Sequence, residues 1–189
     1  MKTALENIQQ TLKEISSAEA RAAHQKFVPG TKKIYGVRMP ELNLLAKEYK
    51  AGGFDLVQAL WKAGAFEEKI LALKILERIA KKDPVLSLTL VQQFSKDIDN
   101  WAECDAMGMQ ALKSIVKTHP ADIFALAEKF NRSSIMWQRR LSLVLVEYYT
   151  RDKVCLPQIN KLVQALEDDQ EYYIKKAVVW IKRNIAKGK

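Results

Sequence analysis

Apolar residues recur at three- and four-residue spacing along nearly the whole chain, and no stretch alternates with period two between hairpin turns. Ile70, Leu73, Ile75, Leu76 and Ile79 make a stripe broad enough for a helix buried over most of its inner surface. Polar breaks carrying proline or glycine separate such stretches: Val28-Pro29-Gly30-Thr31, Ala51-Gly52-Gly53, Ala63-Gly64, Asp83-Pro84, His119-Pro120 and Leu156-Pro157. Pro40, after Tyr35-Gly36-Val37-Arg38-Met39, suits the first turn of a helix, where its missing N–H costs nothing. The pattern predicts helices over 3–16, 18–26, 40–50, 54–63, 66–82, 84–96, 99–118, 120–130, 134–150, 157–167 and 170–187, and no sheet.

A longer period lies over this one. Ile70, Asp105, Arg140 and Lys176 follow one another at steps of 35, 35 and 36 residues, and Phe66, Trp101, Met136 and Tyr172 stand four residues upstream of each. Self-similarity at this spacing, built from helix pairs, is how stacked helical repeats appear in a sequence. The fold expected is all-α: a HEAT-like, right-handed α-solenoid forming one domain over 1–189, with a concave basic face. The long helices would carry the register and the shorter ones an outer layer. Equivalent positions in successive repeats lie side by side, and residues four apart share a helix face. A carboxylate, a guanidinium, an ammonium and several large side chains should therefore converge on one surface.

Charge gives that surface a direction. The 189 residues carry 31 Lys and Arg against 22 Asp and Glu, a formal net charge of +9, which favours polyanions, nucleic acid foremost. Cys104 and Cys155 are too few for a disulfide framework, and no CxxC spacing occurs. His24 and His119 have no neighbouring ligands, so neither a metal nor a cofactor is expected. Residues 1–17 are charged and amphipathic, unlike a signal peptide, and no run nears the roughly 18 apolar residues of a membrane span. A monomeric cytoplasmic protein, associated with the nucleoid when bound to DNA, is the expectation.

Taken singly, the candidate residues have ordinary explanations. Asp105 suits an early helical turn, where the helix dipole favours a carboxylate. Arg139 and Arg140 point about 100° apart on a helix, so only one can share the inner register with Asp105, and an arginine pair commonly faces solvent. Trp180, four residues beyond Lys176, could seal the end of a core. A carboxylate on the inner side of a stack needs a partner, however, and Arg140 stands one repeat later at the same register.

Several segments, in order and at this spacing, carry a resemblance. They are Lys26-Phe27-Val28-Pro29-Gly30, Tyr35-Gly36-Val37-Arg38-Met39-Pro40-Glu41-Leu42, the Trp101/Asp105 pair, Trp137-Gln138-Arg139-Arg140, and Ile174-Lys175-Lys176-Ala177-Val178-Val179-Trp180. From about Ala18 to Ala186 the chain resembles the AlkD-like DNA alkylation repair glycosylases, built from HEAT-like repeats. The resemblance implies a monofunctional enzyme that hydrolyses the N-glycosidic bond of cationic N3- or N7-alkylated purines in double-stranded DNA. It places the catalytic aspartate at Asp105, the two tryptophans that pack against the lesion's sugar and backbone at Trp101 and Trp180, and the phosphate-binding arginine at Arg140. Trp137, Arg139, Lys175, Lys176, Lys182 and Arg183 are the further DNA contacts expected. The chain departs from the pattern where Asn100 and Ala102 flank Trp101 in place of a second aromatic, and where Arg21-Ala22-Ala23-His24 lacks an aromatic on the early helix. It also stops nine residues after Trp180, where longer members add helices. These departures bear on substrate breadth and grip on the flanking duplex more than on the chemistry. The competing expectation is a non-catalytic repeat protein that binds distorted or branched DNA and has no need of Asp105; a protein-binding scaffold is a third.

Overall fold

A computed structural model describes residues 3–188, and among them every regular element is helical. The fold is all-α and of the helical-repeat kind. The helices group into two compact units, one ending at Asp83 and the other beginning at Pro84.

The first unit contains α1 (Ala4–Glu14), α2 (Ala18–Phe27), α3 (Met39–Tyr49), α4 (Gly53–Ala63) and α5 (Phe66–Ile79). Helix α5 is its centre, packed by α3 and α4 and buried nearly throughout, including Ile70. Two adjacent carboxylates at its start are buried as well, and backbone donors account for most of their bonding. Glu67 Oε1 accepts from the N–H groups of Gly36 (2.7 Å) and Val37 (3.1 Å), and Oε2 from that of Tyr35 (2.9 Å). Glu68 accepts from the Ala65 N–H (2.7 Å), from Gln9 Nε2 (2.9 Å) and from the Tyr35 hydroxyl (2.9 Å). Burial, then the Glu68 hydrogen bond, pushes the Tyr35 phenol up to about 12. Gly36 makes the close approach possible: its φ is 89°, and a Cβ there would lie 2.5 Å from the Ser17 carbonyl.

The second unit contains α6 (Pro84–Phe94), α7 (Trp101–Ala106), α8 (Pro120–Asn131), α9 (Met136–Leu145), α10 (Leu156–Gln164) and α11 (Tyr172–Lys187). Helix α9 is the hub: α7, α8, α10 and α11 all pack on it. Buried amides fix its roll. Gln138 Nε2 donates to Ser95 Oγ (2.8 Å) while Gln138 Oε1 accepts from Ser133 Oγ (2.6 Å), and Asn131 Nδ2 reaches both Ser142 Oγ (3.0 Å) and the Leu162 carbonyl (3.1 Å). These bonds tie α8, α9 and α10 together and leave one face of α9 turned to α7.

Among the described residues eleven helices fall where the apolar spacing predicts them, with differences in kind at some of their ends. The expected helix over 99–118 is α-helical only to Ala106, continues as a π-helical segment at Met107–Ala111, and gives way to turns up to Thr118. The π-helical segment packs closely on α9. A Cβ on Gly108 would sit 2.6 Å from Val144 Cγ1 and 2.8 Å from Val144 Cβ, so glycine lets the two segments close to a distance no other residue permits. The turns that follow are anchored by the Tyr149 hydroxyl, which donates to the Val116 carbonyl at 2.6 Å. The helices expected over 66–82 and 134–150 likewise tighten into 3₁₀ turns at Ala80–Lys82 and Glu147–Tyr149.

Candidate functional site

Asn100 begins the site. Its extended backbone and side-chain carbonyl cap α7, with Oδ1 accepting from the Glu103 N–H at 2.9 Å. The cap fixes where the helix starts, so Trp101 is its first residue and Asp105 lies one turn on. On α9, Arg140 stands at the same distance from its own helix start. The two meet: Arg140 Nη2 and Nε both donate to Asp105 Oδ1, at 2.7 and 3.2 Å. The third bond of the guanidinium comes from Nη1 to the carbonyl of Tyr173 on α11, at 2.8 Å. Three helices are therefore joined through one side chain.

The pair is asymmetric, which decides what it can do. The Arg140 side chain is 9% exposed and that of Asp105 29%. Both guanidinium contacts fall on Oδ1, and no described residue donates to Oδ2. One carboxylate oxygen is thus clamped from within and the other keeps its lone pairs for something from outside. Burial pushes the Asp105 carboxyl above its ordinary value, and the charge and hydrogen bonds of Arg140 only partly oppose this. A carboxylate so placed can oppose a developing positive charge, or hold a water, without first breaking a bond within the protein.

Trp101, Trp137, Tyr173 and Trp180, on the same three helices, are half-buried. Trp101 opens α7, and Trp180 lies on α11 beside the buried stripe of Ile174, Ala177, Val178 and Ile181. Trp137 packs against Tyr173 with ring centroids 5.0 Å apart, and its carbonyl accepts the buried Cys104 thiol at 3.7 Å. Tyr173 meets Tyr172 edge-on at 5.1 Å.

A model of the family described as DNA alkylation repair enzyme matches residues 8–189. The chain belongs to that family. A comparison with curated proteins gives no match. Family membership makes DNA repair the role and DNA the partner. Among the described residues no group of His, Cys, Asp or Glu could hold a metal ion, and no helix is long and apolar enough to cross a membrane.

Not every residue singled out in the sequence joins this cluster. Arg139 turns away: its Nε donates to Asp169 at 2.8 Å and its Nη1 to the carbonyls of Ser133 and Ser134, each at 3.0 Å. Burial raises the Asp169 carboxyl, but the Glu171 N–H and then Arg139 outweigh it and hold it below the usual range. Arg139 thus braces the turn ahead of α9 and the approach to α11. Lys176, the last member of the 35-residue register, makes no ion pair with Asp105. It is exposed, with its ammonium 4.9 Å from the centroid of the Tyr172 ring. Lys175 donates to Gln170 Oε1 (3.1 Å), Lys182 is paired with Glu167, and Arg183 is exposed. The Tyr173 carbonyl is the site's one partner that residue types do not announce, because any residue there would supply it.

Proposed function

We propose that the protein is a DNA glycosylase that hydrolyses the N-glycosidic bond of cationic N3- or N7-alkylated purines in duplex DNA, with Asp105 as the catalytic group. The observation that carries this reading is the half-clamped carboxylate: Oδ1 held by Arg140, Oδ2 without a donor among the described residues.

The chemistry asks for little else. An N-alkylated purine already bears positive charge, so it departs as a neutral base with the glycosidic electron pair, and no general acid is required. The sugar left behind is oxocarbenium-like and electron-poor at its anomeric carbon. A fixed carboxylate opposes that charge, and removing one such preorganised group commonly costs on the order of 100-fold or more in rate. A water held by Oδ2 then adds to the anomeric carbon and loses its proton to Asp105 or to solvent, leaving an abasic site. No lysine is needed as a nucleophile, so the strand stays intact.

Arg140 has two roles in this scheme. It keeps Asp105 ionised and aimed, and two of its five N–H bonds remain for a backbone phosphate oxygen. Trp101 and Trp180 would pack against the sugar and backbone of the lesion, their indole faces adding a cation attraction of about 0.5–2 kcal/mol. Lys175, Lys176, Lys182 and Arg183 would line the adjoining strand, as positioning contacts carrying no sequence information.

The test is release of 7-methylguanine from methylated duplex DNA. Free base accumulating with an equal number of alkali-labile abasic sites and unbroken strands is the result expected. Tight binding to distorted or branched DNA without base release would establish the non-catalytic alternative instead.

A further inference from the structure

The geometry points to a DNA contact at the start of α11: Tyr172, with Lys176 over its ring, is a stacking platform for a nucleobase that has left the helical stack beside the lesion. This rests on DNA being the ligand of the Asp105 face, and adds to it a specificity for unstacked bases.

Three observations lead there. First, the aromatic series Trp137, Tyr173, Tyr172 runs from half-buried to open. Centroid distances are 5.0 and 5.1 Å, and Tyr172, at 60% exposure, is its outermost member. Second, hydrogen bonds tie its backbone to Asp105. The carbonyl of Tyr173, the next residue, accepts from Arg140, which in turn clamps Asp105. Third, the surroundings suit a nucleic-acid strand. Lys176 lies 4.9 Å from the ring centroid and Lys175 is adjacent and exposed, so phosphates on either side of a stacked base would find cations.

A ring of this kind cannot reach a base that remains paired and stacked, so its contribution depends on local unstacking. Alkylation that weakens pairing, or a mismatch, provides it. Stacking on an aromatic ring tolerates any base, so the platform would read disorder of the duplex and not its sequence.

The experiment compares two undamaged duplexes, identical except that one carries a single bulged nucleotide. Binding is measured for the wild type, Tyr172→Ala, Tyr172→Phe and Lys176→Gln. Tyr172→Ala should lose about 5- to 150-fold in affinity for the bulged duplex, in line with one lost stacking contact. It should bind the paired duplex as before, and Tyr172→Phe should behave as wild type. Lys176→Gln should weaken both complexes and lower the salt slope by about one. Equal effects of Tyr172→Ala on both duplexes, or none on either, would overturn the proposal. Neither substrate can be excised, so failure here is separate from failure of the glycosylase reading, which base release from alkylated DNA decides.

Discussion

Asp105 is held in a condition that leaves its ionisation open to tuning. Its carboxyl sits above the ordinary aspartate value because burial outweighs the attraction of Arg140. The folded chain therefore binds that proton more readily than the unfolded chain. The contribution of Asp105 to stability falls as pH rises from the ordinary aspartate range through its raised value. On the proposed mechanism activity runs the other way, since only the anion opposes an oxocarbenium. Excision should fall as pH drops through a midpoint above the ordinary aspartate value. Arg140→Ala removes the opposing cation and should move that midpoint to higher pH. It should also lower stability by about 1–3 kcal/mol, because Asp105 and the Tyr173 carbonyl lose their donor. A pH profile of single-turnover excision, with melting curves on the same samples, checks both statements. An unmoved acid limb would mean that Arg140 does not act through Asp105. The register made this pair legible in advance: Asp105 and Arg140 differ by 35 residues and occupy the same place in their helices. Which of the two arginines shares the register with Asp105 was open on spacing alone; Arg140 takes that place, and Arg139 pairs with Asp169.

The elements that hold the pair are ordinary helices except at one place. The π-helical segment begins two residues beyond Asp105, and its closest approach to α9 is at Gly108 over Val144. Gly108→Ala should force the two segments apart, since the added Cβ would lie 2.6 Å from Val144 Cγ1. The expected cost is about 1–3 kcal/mol, typical of overpacking, and excision should fall more than stability predicts because the displaced residue is so near Asp105. Pairing it with Val144→Gly removes both Cγ1 and Cβ, the two atoms nearest the added methyl. Partial recovery of excision in the double variant is the expected result, and a failure of Val144→Gly to rescue Gly108→Ala would show that the contact does not set the spacing. Nothing in the apolar pattern distinguishes this segment from the rest of a helix over 99–118. A π turn depends on what presses against it from another helix, and that is not local information. By contrast, the starts of α3, α8 and α10 were legible, since each has proline in its first turn.

Across the molecule the excess of positive charge sets how DNA is approached. With a net charge of +9, affinity for duplex should fall steeply with salt, and each removed phosphate contact should flatten the slope by about one unit. The cations of α11 should not be equal in this. Lys182 is paired with Glu167, so it must exchange a partner on binding, whereas Lys176 has only a ring beneath it. Lys176→Gln should therefore cost more affinity than Lys182→Gln, and Glu167→Gln should strengthen binding by freeing Lys182. Titrations at several salt concentrations read all three. An unchanged slope throughout would place the DNA elsewhere on the molecule.

The most direct measurement is single-turnover release of 7-methylguanine by Asp105→Asn, made alongside its affinity for the same methylated duplex. The amide keeps the shape of the side chain and can still accept from Arg140, but it carries no charge to oppose the sugar cation. Excision should drop ~100-fold or more, while affinity holds or rises slightly, since a charge that repels phosphate has gone. Excision at the wild-type rate would contradict the assignment of Asp105.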